Sequence, residues 1–63
     1  MQDKFGRELL VGSLVTVFGN SFNGAVLEIA ERENDRSVAH VQYHMMSGIK
    51  YGEFFSQELI MVQ

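Results

Sequence analysis

Phe22-Asn23-Gly24-Ala25-Val26-Leu27-Glu28-Ile29-Ala30-Glu31-Arg32-Glu33 is the stretch on which the fold turns. Read with a period of two, Ala25, Leu27 and Ile29 share one face of a strand running from about Ala25 to Arg32. Read with a period of 3.6, Val26, Ile29 and Ala30 share the face of a helix over Phe22 to Glu33. Asn20 or Ser21 then caps that helix, and Glu28 and Arg32 form an i,i+4 pair. Gly24 in the first turn and the β-branched Val26 and Ile29 weigh against it. The strand is the favoured reading and the helix its rival.

The flanking segments favour strands too. Ser13 to Phe18 places Val15 and Val17 on one face. In Ser37 to Met45, Ala39, Val41 and Tyr43 alternate with His40, Gln42 and His44. Ile49 to Phe55 and Leu59 to Val62 supply two more strands, with Ser56-Gln57-Glu58 between them as a single 3₁₀ turn. The chain has no Pro, so turns fall to Gly, Asn, Asp and Ser. The polar run Arg32-Glu33-Asn34-Asp35-Arg36 reads as a hairpin turn. Five short strands in one domain spanning residues 1–63 predict an all-β fold, a small five-stranded barrel. Closure removes the edges that an open sheet would expose.

Size and charge narrow the function. A domain of 63 residues buries only ~60 % of the surface its unfolded chain exposes, so the core is thin. There is no Cys for a disulfide or a thiolate metal site. No apolar run approaches the ~20 residues of a membrane-spanning helix, and no signal-peptide pattern opens the chain. The expectation is a soluble, cytoplasmic protein with no membrane partner. The net charge is −3, and no Lys or Arg occurs between Arg7 and Arg32. An extended basic face for phosphates is hard to build from that distribution.

Val15-Thr16-Val17, then Gly19, then Gly24-Ala25-Val26-Leu27-Glu28-Ile29 resembles the KOW motif. Asp3, Gly6, Leu9, Gly12 and Ser13 are similar to the D-x-x-G-x-x-L-x-x-G-S/D opening of small prokaryotic SH3-like domains. The resemblance implies an SH3-like barrel whose partner contacts lie in the loop between the first two strands. Here that loop is Phe18-Gly19-Asn20-Ser21-Phe22-Asn23. It holds no Lys or Arg, which turns the expected partner from nucleic acid towards protein. Gly24 either lets the second strand begin where a loop comes close to the backbone or supplies a positive φ, unless Asn23-Gly24 is simply a turn.

Catalytic and metal sets are not found. His40 and His44 on one strand face lie ~13 Å apart, too far to share an ion. None of the five serines sits in a G-x-S-x-G elbow. Glu28, Glu31, Glu33 and Asp35 read as a solvated hairpin rather than a Ca²⁺ loop. The expectation is no enzyme, no cofactor and no metal. Aromatics are the surplus: five Phe and two Tyr exceed what a thin core needs. Phe54 and Phe55 fall on opposite faces, and Phe18 is out of phase with Val15 and Val17.

Phe18, Asn20, Phe22, Asn23 and Tyr51 are therefore the candidate partner-binding residues. Their alternative role is for Phe18 and Phe22 to fold over an open barrel end. The first functional expectation is a protein-interaction module, in the style of phage and bacterial accessory or regulatory proteins. The alternative is a KOW-like nucleic-acid-binding module. It would stack bases on Phe18, Phe22 or Tyr51, with Lys4, Arg7, Arg36 and Lys50 near phosphates. A homo-oligomer that completes the small core with a second copy is a third.

Overall fold

A computed structural model describes residues 1–32 and 36–62. It is all-β, with five antiparallel strands in one sheet and one 3₁₀ turn. The strands are β1 (Leu14–Val17), β2 (Phe22–Arg32), β3 (Arg36–Met45), β4 (Gly48–Phe55) and β5 (Leu59–Met61). The 3₁₀ turn Ser56–Glu58 joins β4 to β5. The deciding stretch is thus a strand and not a helix. Residues 33–35, the centre of the expected hairpin turn, lie outside the described residues, as do Glu33 and Asp35 of the acidic group. The flanking Arg32 and Arg36 are paired across β2 and β3.

The sheet order is β4-β3-β2-β1-β5. β4 and β5 therefore sit at opposite edges, although only three residues separate them. Laid flat, five strands ~4.8 Å apart would put the outer two ~19 Å from each other. Four residue steps, from Phe55 to Leu59, reach at most ~14 Å. The sheet must curl, and it does so without β4 and β5 pairing, so the expected closed barrel is reduced to a curled open sheet. Inside the curl lie Leu9, Val15, Val17, Val26, Ala39, Val41, Phe54 and Leu59. Met1, Phe22, Ile29, Tyr43 and Met61 pack against them.

One face assignment differs from the sequence expectation. Ala25, Leu27 and Ile29 do not share the core face. The β2–β3 register steps from Val26↔Val41 to Glu28↔His40, leaving Leu27 as an extra residue in a bulge. One inserted residue shifts the two-residue phase by one. Val26 before the bulge and Ile29 after it both turn inward, while Leu27 is exposed.

Gly24 sits inside β2, paired to Val15 and Tyr43, with no positive φ. A Cβ there would lie 2.6 Å from the Gln42 carbonyl oxygen and 2.8 Å from Val41 Cγ1. Close strand approach, not a turn, is what requires glycine.

The N-terminal lead-in is held by Asp3. The residue is 3 % exposed, and its carboxylate accepts from the backbone N–H of Phe5 and Arg7 on Oδ1. Arg7 Nε and the Met61 N–H donate to Oδ2 at 3.1 and 2.8 Å. Gly6, at φ +82°, lets the chain double back so that the Asp3 N–H reaches the Arg7 carbonyl. The Lys4 N–H donates to the Leu59 carbonyl, and Ser56 Oγ donates to the Gln2 carbonyl. The lead-in is thereby tied along β5 and the 3₁₀ turn, and Leu9 drops into the core.

Candidate functional site

The β1–β2 connection is a tight turn. The Ser21 N–H donates to the Phe18 carbonyl at 3.3 Å across Gly19 and Asn20. Both central residues have positive φ, +64° and +75°, as a type I′ turn requires. Asn tolerates that conformation. Its Oδ1 also accepts from Thr16 Oγ1 at 2.8 Å, which locks the turn to β1. Asn20 therefore acts first as a turn residue.

Phe18 also has a positive φ, +54°. For a bulky side chain this is an outlier, of the kind that costs ~1–3 kcal/mol. The strain aims the Phe18 ring over the open end of the curled sheet. There it meets Phe22, Tyr43 and Phe54 edge-on, with centroids 5.9, 5.7 and 5.6 Å away. Tyr43 and Phe54 are themselves edge-on at 5.6 Å. Yet Phe18 stays 52 % exposed. It covers the aromatic end of the core and shows much of its surface to solvent.

A cleft of ≈ 230 Å³ opens beside this ring, lined by Lys4, Phe18, Gly19, Gln57, Glu58 and Ile60. Glu58 holds one wall in place: its Oε1 accepts from the Phe55 N–H at 2.8 Å. Next to Lys4 in the chain, Phe5 is 65 % exposed, with Lys4 Nζ 5.9 Å and Arg7 Cζ 5.7 Å from its ring centroid. Phe5 is not among the site residues expected from sequence. Its signal is an aromatic between two cations in a glycine-containing turn, Lys4-Phe5-Gly6-Arg7. The approach of Lys4 and Gln57 to Phe18 has no local signal, because it depends on the lead-in lying along β5.

The five expected site residues do not form one patch. Phe18 and Phe22 come together at the end of the sheet, and Asn20 shapes the turn beside them. Asn23 is exposed on β2, opposite Thr16. Tyr51 lies on the outer face of β4, opposite Gln42, whose Nε2 donates to the Tyr51 hydroxyl at 3.2 Å. The sheet itself separates Tyr51 from Phe18.

The two histidines share the outer face of β3, as expected from alternation. His40 Nε2 lies 3.1 Å from Glu53 Oε2 and 3.9 Å from Glu28 Oε1, a cross-strand row over β2, β3 and β4. Among the described residues, no group of three or more His, Cys, Asp or Glu is placed to hold a metal ion. No helix among them is long and apolar enough to cross a membrane. Comparison of the chain with protein-family models, with curated proteins and with solved structures found no match.

Proposed function

We propose that the chain is a small non-catalytic protein-interaction module, of the accessory or regulatory kind found in phages and bacteria, built as an SH3-like barrel with a KOW-like first hairpin. The curl of the sheet, the 3₁₀ turn before the last strand and the V-x-V and G-x-V segments on β1 and β2 support the fold reading. Phe18 carries the functional one. A strained backbone that holds a large aromatic half in solvent is unfavourable for a free domain and useful for a docking surface. The cleft beside Phe18 gives a partner side chain somewhere to enter, and aromatic anchors of this kind dominate interface energies.

Affinity capture from the source cells, with the folded wild-type chain and a Phe18→Ala variant as baits, tests this. A protein retained by wild type and lost by Phe18→Ala is the expected result. A partner bound equally by both, or no partner with both baits folded, overturns it.

Nucleic acid is the second reading, and the Lys4, Phe5 and Arg7 group favours it. An exposed ring flanked by two cations, of which Lys4 also lines the Phe18 cleft, is suited to base stacking beside phosphate, worth ~1–3 kcal/mol per base. Titration with single- and double-stranded oligonucleotides at ~50 mM salt, where electrostatic attraction is strong, decides between them. Absence of binding there removes this second reading.

A further inference from the structure

The outer face of the sheet carries a second surface, independent of the Phe18 cleft. A shallow slot of ≈ 280 Å³ is lined by Leu27, His40, Val41, Tyr51, Gly52 and Glu53. Its construction follows from the register. Gln42 and Tyr51 form one cross-strand row, and His40 and Glu53 the next. Rows two residues apart along a strand are ~7 Å apart. Between them Val41 and Gly52 turn inward: Val41 is in the core, and a Cβ on Gly52 would face Phe54 and Tyr43. The floor is therefore backbone. Leu27, pushed outward by the bulge, closes the inner end. Among the described residues no strand lies beyond β4, so the outer end is open.

A gap of ~7 Å between rows holds one flat group stacked at ordinary contact distance from both walls. One wall is the Tyr51 ring, 68 % exposed, with no cation over it among the described residues. The other wall carries the Glu53 carboxylate, whose Oε2 lies 3.1 Å from His40 Nε2, and Glu28, with a 70 % exposed side chain, stands in the same row. A planar cation is attracted to both walls, in addition to the contacts Glu53 already makes. The molecule already contains one such pair on this strand: Arg36 Cζ lies 4.4 Å from the centroid of Phe55, which alternation places on the same face of β4 as Glu53 and Tyr51.

We infer that this slot receives an arginine side chain from a basic segment of a partner protein, its guanidinium stacked on Tyr51 and charge-paired with Glu53 and Glu28. Arginine is favoured over lysine because its guanidinium is planar, weakly hydrated and able to stack. The net charge of −3 steers such a segment in.

The test is an NMR titration of the isotope-labelled full chain with the synthetic peptide acetyl-Gly-Ser-Arg-Arg-Ser-Gly-amide, and with its lysine and citrulline counterparts. The expected shifts concentrate on the amides of Leu27, His40, Tyr51, Gly52 and Glu53. Arginine binds about two- to five-fold more tightly than lysine, and neutral citrulline does not bind. Tyr51→Leu weakens arginine binding more than lysine binding and so removes the arginine preference. Glu53→Gln weakens both cationic peptides, and Phe18→Ala changes neither. Both Tyr51 and Glu53 are exposed, and retained spectra of the variants verify their folds. Equal affinity for arginine and lysine overturns the assignment. So do shifts spread over Glu8, Glu31 and Glu58, shifts centred on Phe18 and Ile60, or no shift at millimolar peptide.

Discussion

Replacing Asp3 by Asn should weaken the fold far more than a surface substitution in a loop would, and it should do so in a pH-dependent way. Four donors converge on the Asp3 carboxylate: the N–H groups of Phe5, Arg7 and Met61, and Arg7 Nε. Asn can keep an oxygen towards Phe5 and Arg7, but its amide nitrogen then faces two donors where Oδ2 was. Hydrogen bonds to a charged group contribute ~1.5–3 kcal/mol each, and an unpaired buried N–H costs ~1–3. Relief of the buried charge offsets part of this, so a net loss of about 2–3 kcal/mol is expected. A 63-residue domain has only about 3–9 kcal/mol in total. At 4–8 °C per kcal/mol, Tm should fall by roughly 10–20 °C.

The carboxyl pKa sets the pH dependence. Burial raises it, but the hydrogen bonds from Met61, Arg7 and Phe5 and the Arg7 charge overcome that and hold it at about 2, against an ordinary 3.8. A folded value below the unfolded one means that the ionised group favours the folded state. That contribution is complete above about pH 5 and is lost as pH falls through the folded value. Thermal unfolding followed by circular dichroism, for wild type and Asp3→Asn between about pH 7 and pH 2, checks both parts. The gap in Tm should be widest at neutral pH and narrow below about pH 4. A gap under about 3 °C at neutral pH, or one of the same size at about pH 2.5, would refute the role assigned to this carboxylate.

Gly24→Ala should destabilise by about 1–3 kcal/mol in urea unfolding, because its Cβ would overlap the Gln42 carbonyl and Val41; an unchanged midpoint contradicts the close approach. At Phe18 the usual order of glycine and alanine should invert. Phe18→Gly should be more stable than Phe18→Ala by ~1 kcal/mol, since the φ of +54° strains any side chain. Equal stabilities would deny that strain. Glu58→Ala should cost ~1 kcal/mol by leaving the Phe55 N–H without its side-chain acceptor, and Glu58→Gln should recover most of it. Arg36→Met, which keeps the apolar stem but not the charge over Phe55, should cost ~0.5–1 kcal/mol, with the loss insensitive to salt.

Strand identity is legible in the sequence because alternation is local. Val15 and Val17 on β1, and Ala39, Val41 and Tyr43 on β3, declare their inward face by a period of two. Gly19-Asn20 declares a turn by its tolerance of positive φ. Phe18 stands out of phase with the valines, and that alone sets it apart from the core residues of β1. The face of Leu27 is not legible. A bulge is a property of a strand pair, and a single strand carries no record of where its partner will step. The Asp3 staple is equally hidden, since its key donor, the Met61 N–H, lies 58 residues away.

The chain by itself thus determined an all-β domain with a thin core, a negative net charge and more aromatic rings than that core can hold. Those properties follow from composition and from side-chain periodicity, which need no knowledge of distant contacts. Tertiary structure alone decided how the surplus rings are divided. The curl imposed by the three-residue link between β4 and β5 gathers Phe18, Phe22, Tyr43 and Phe54 at one end. The alternation of β4, fixed by its pairing with β3, sends Tyr51 to the outer face beside Glu53. What reads in the sequence as one aromatic set becomes two separate surfaces, because a sheet has two sides and register assigns each residue to one of them.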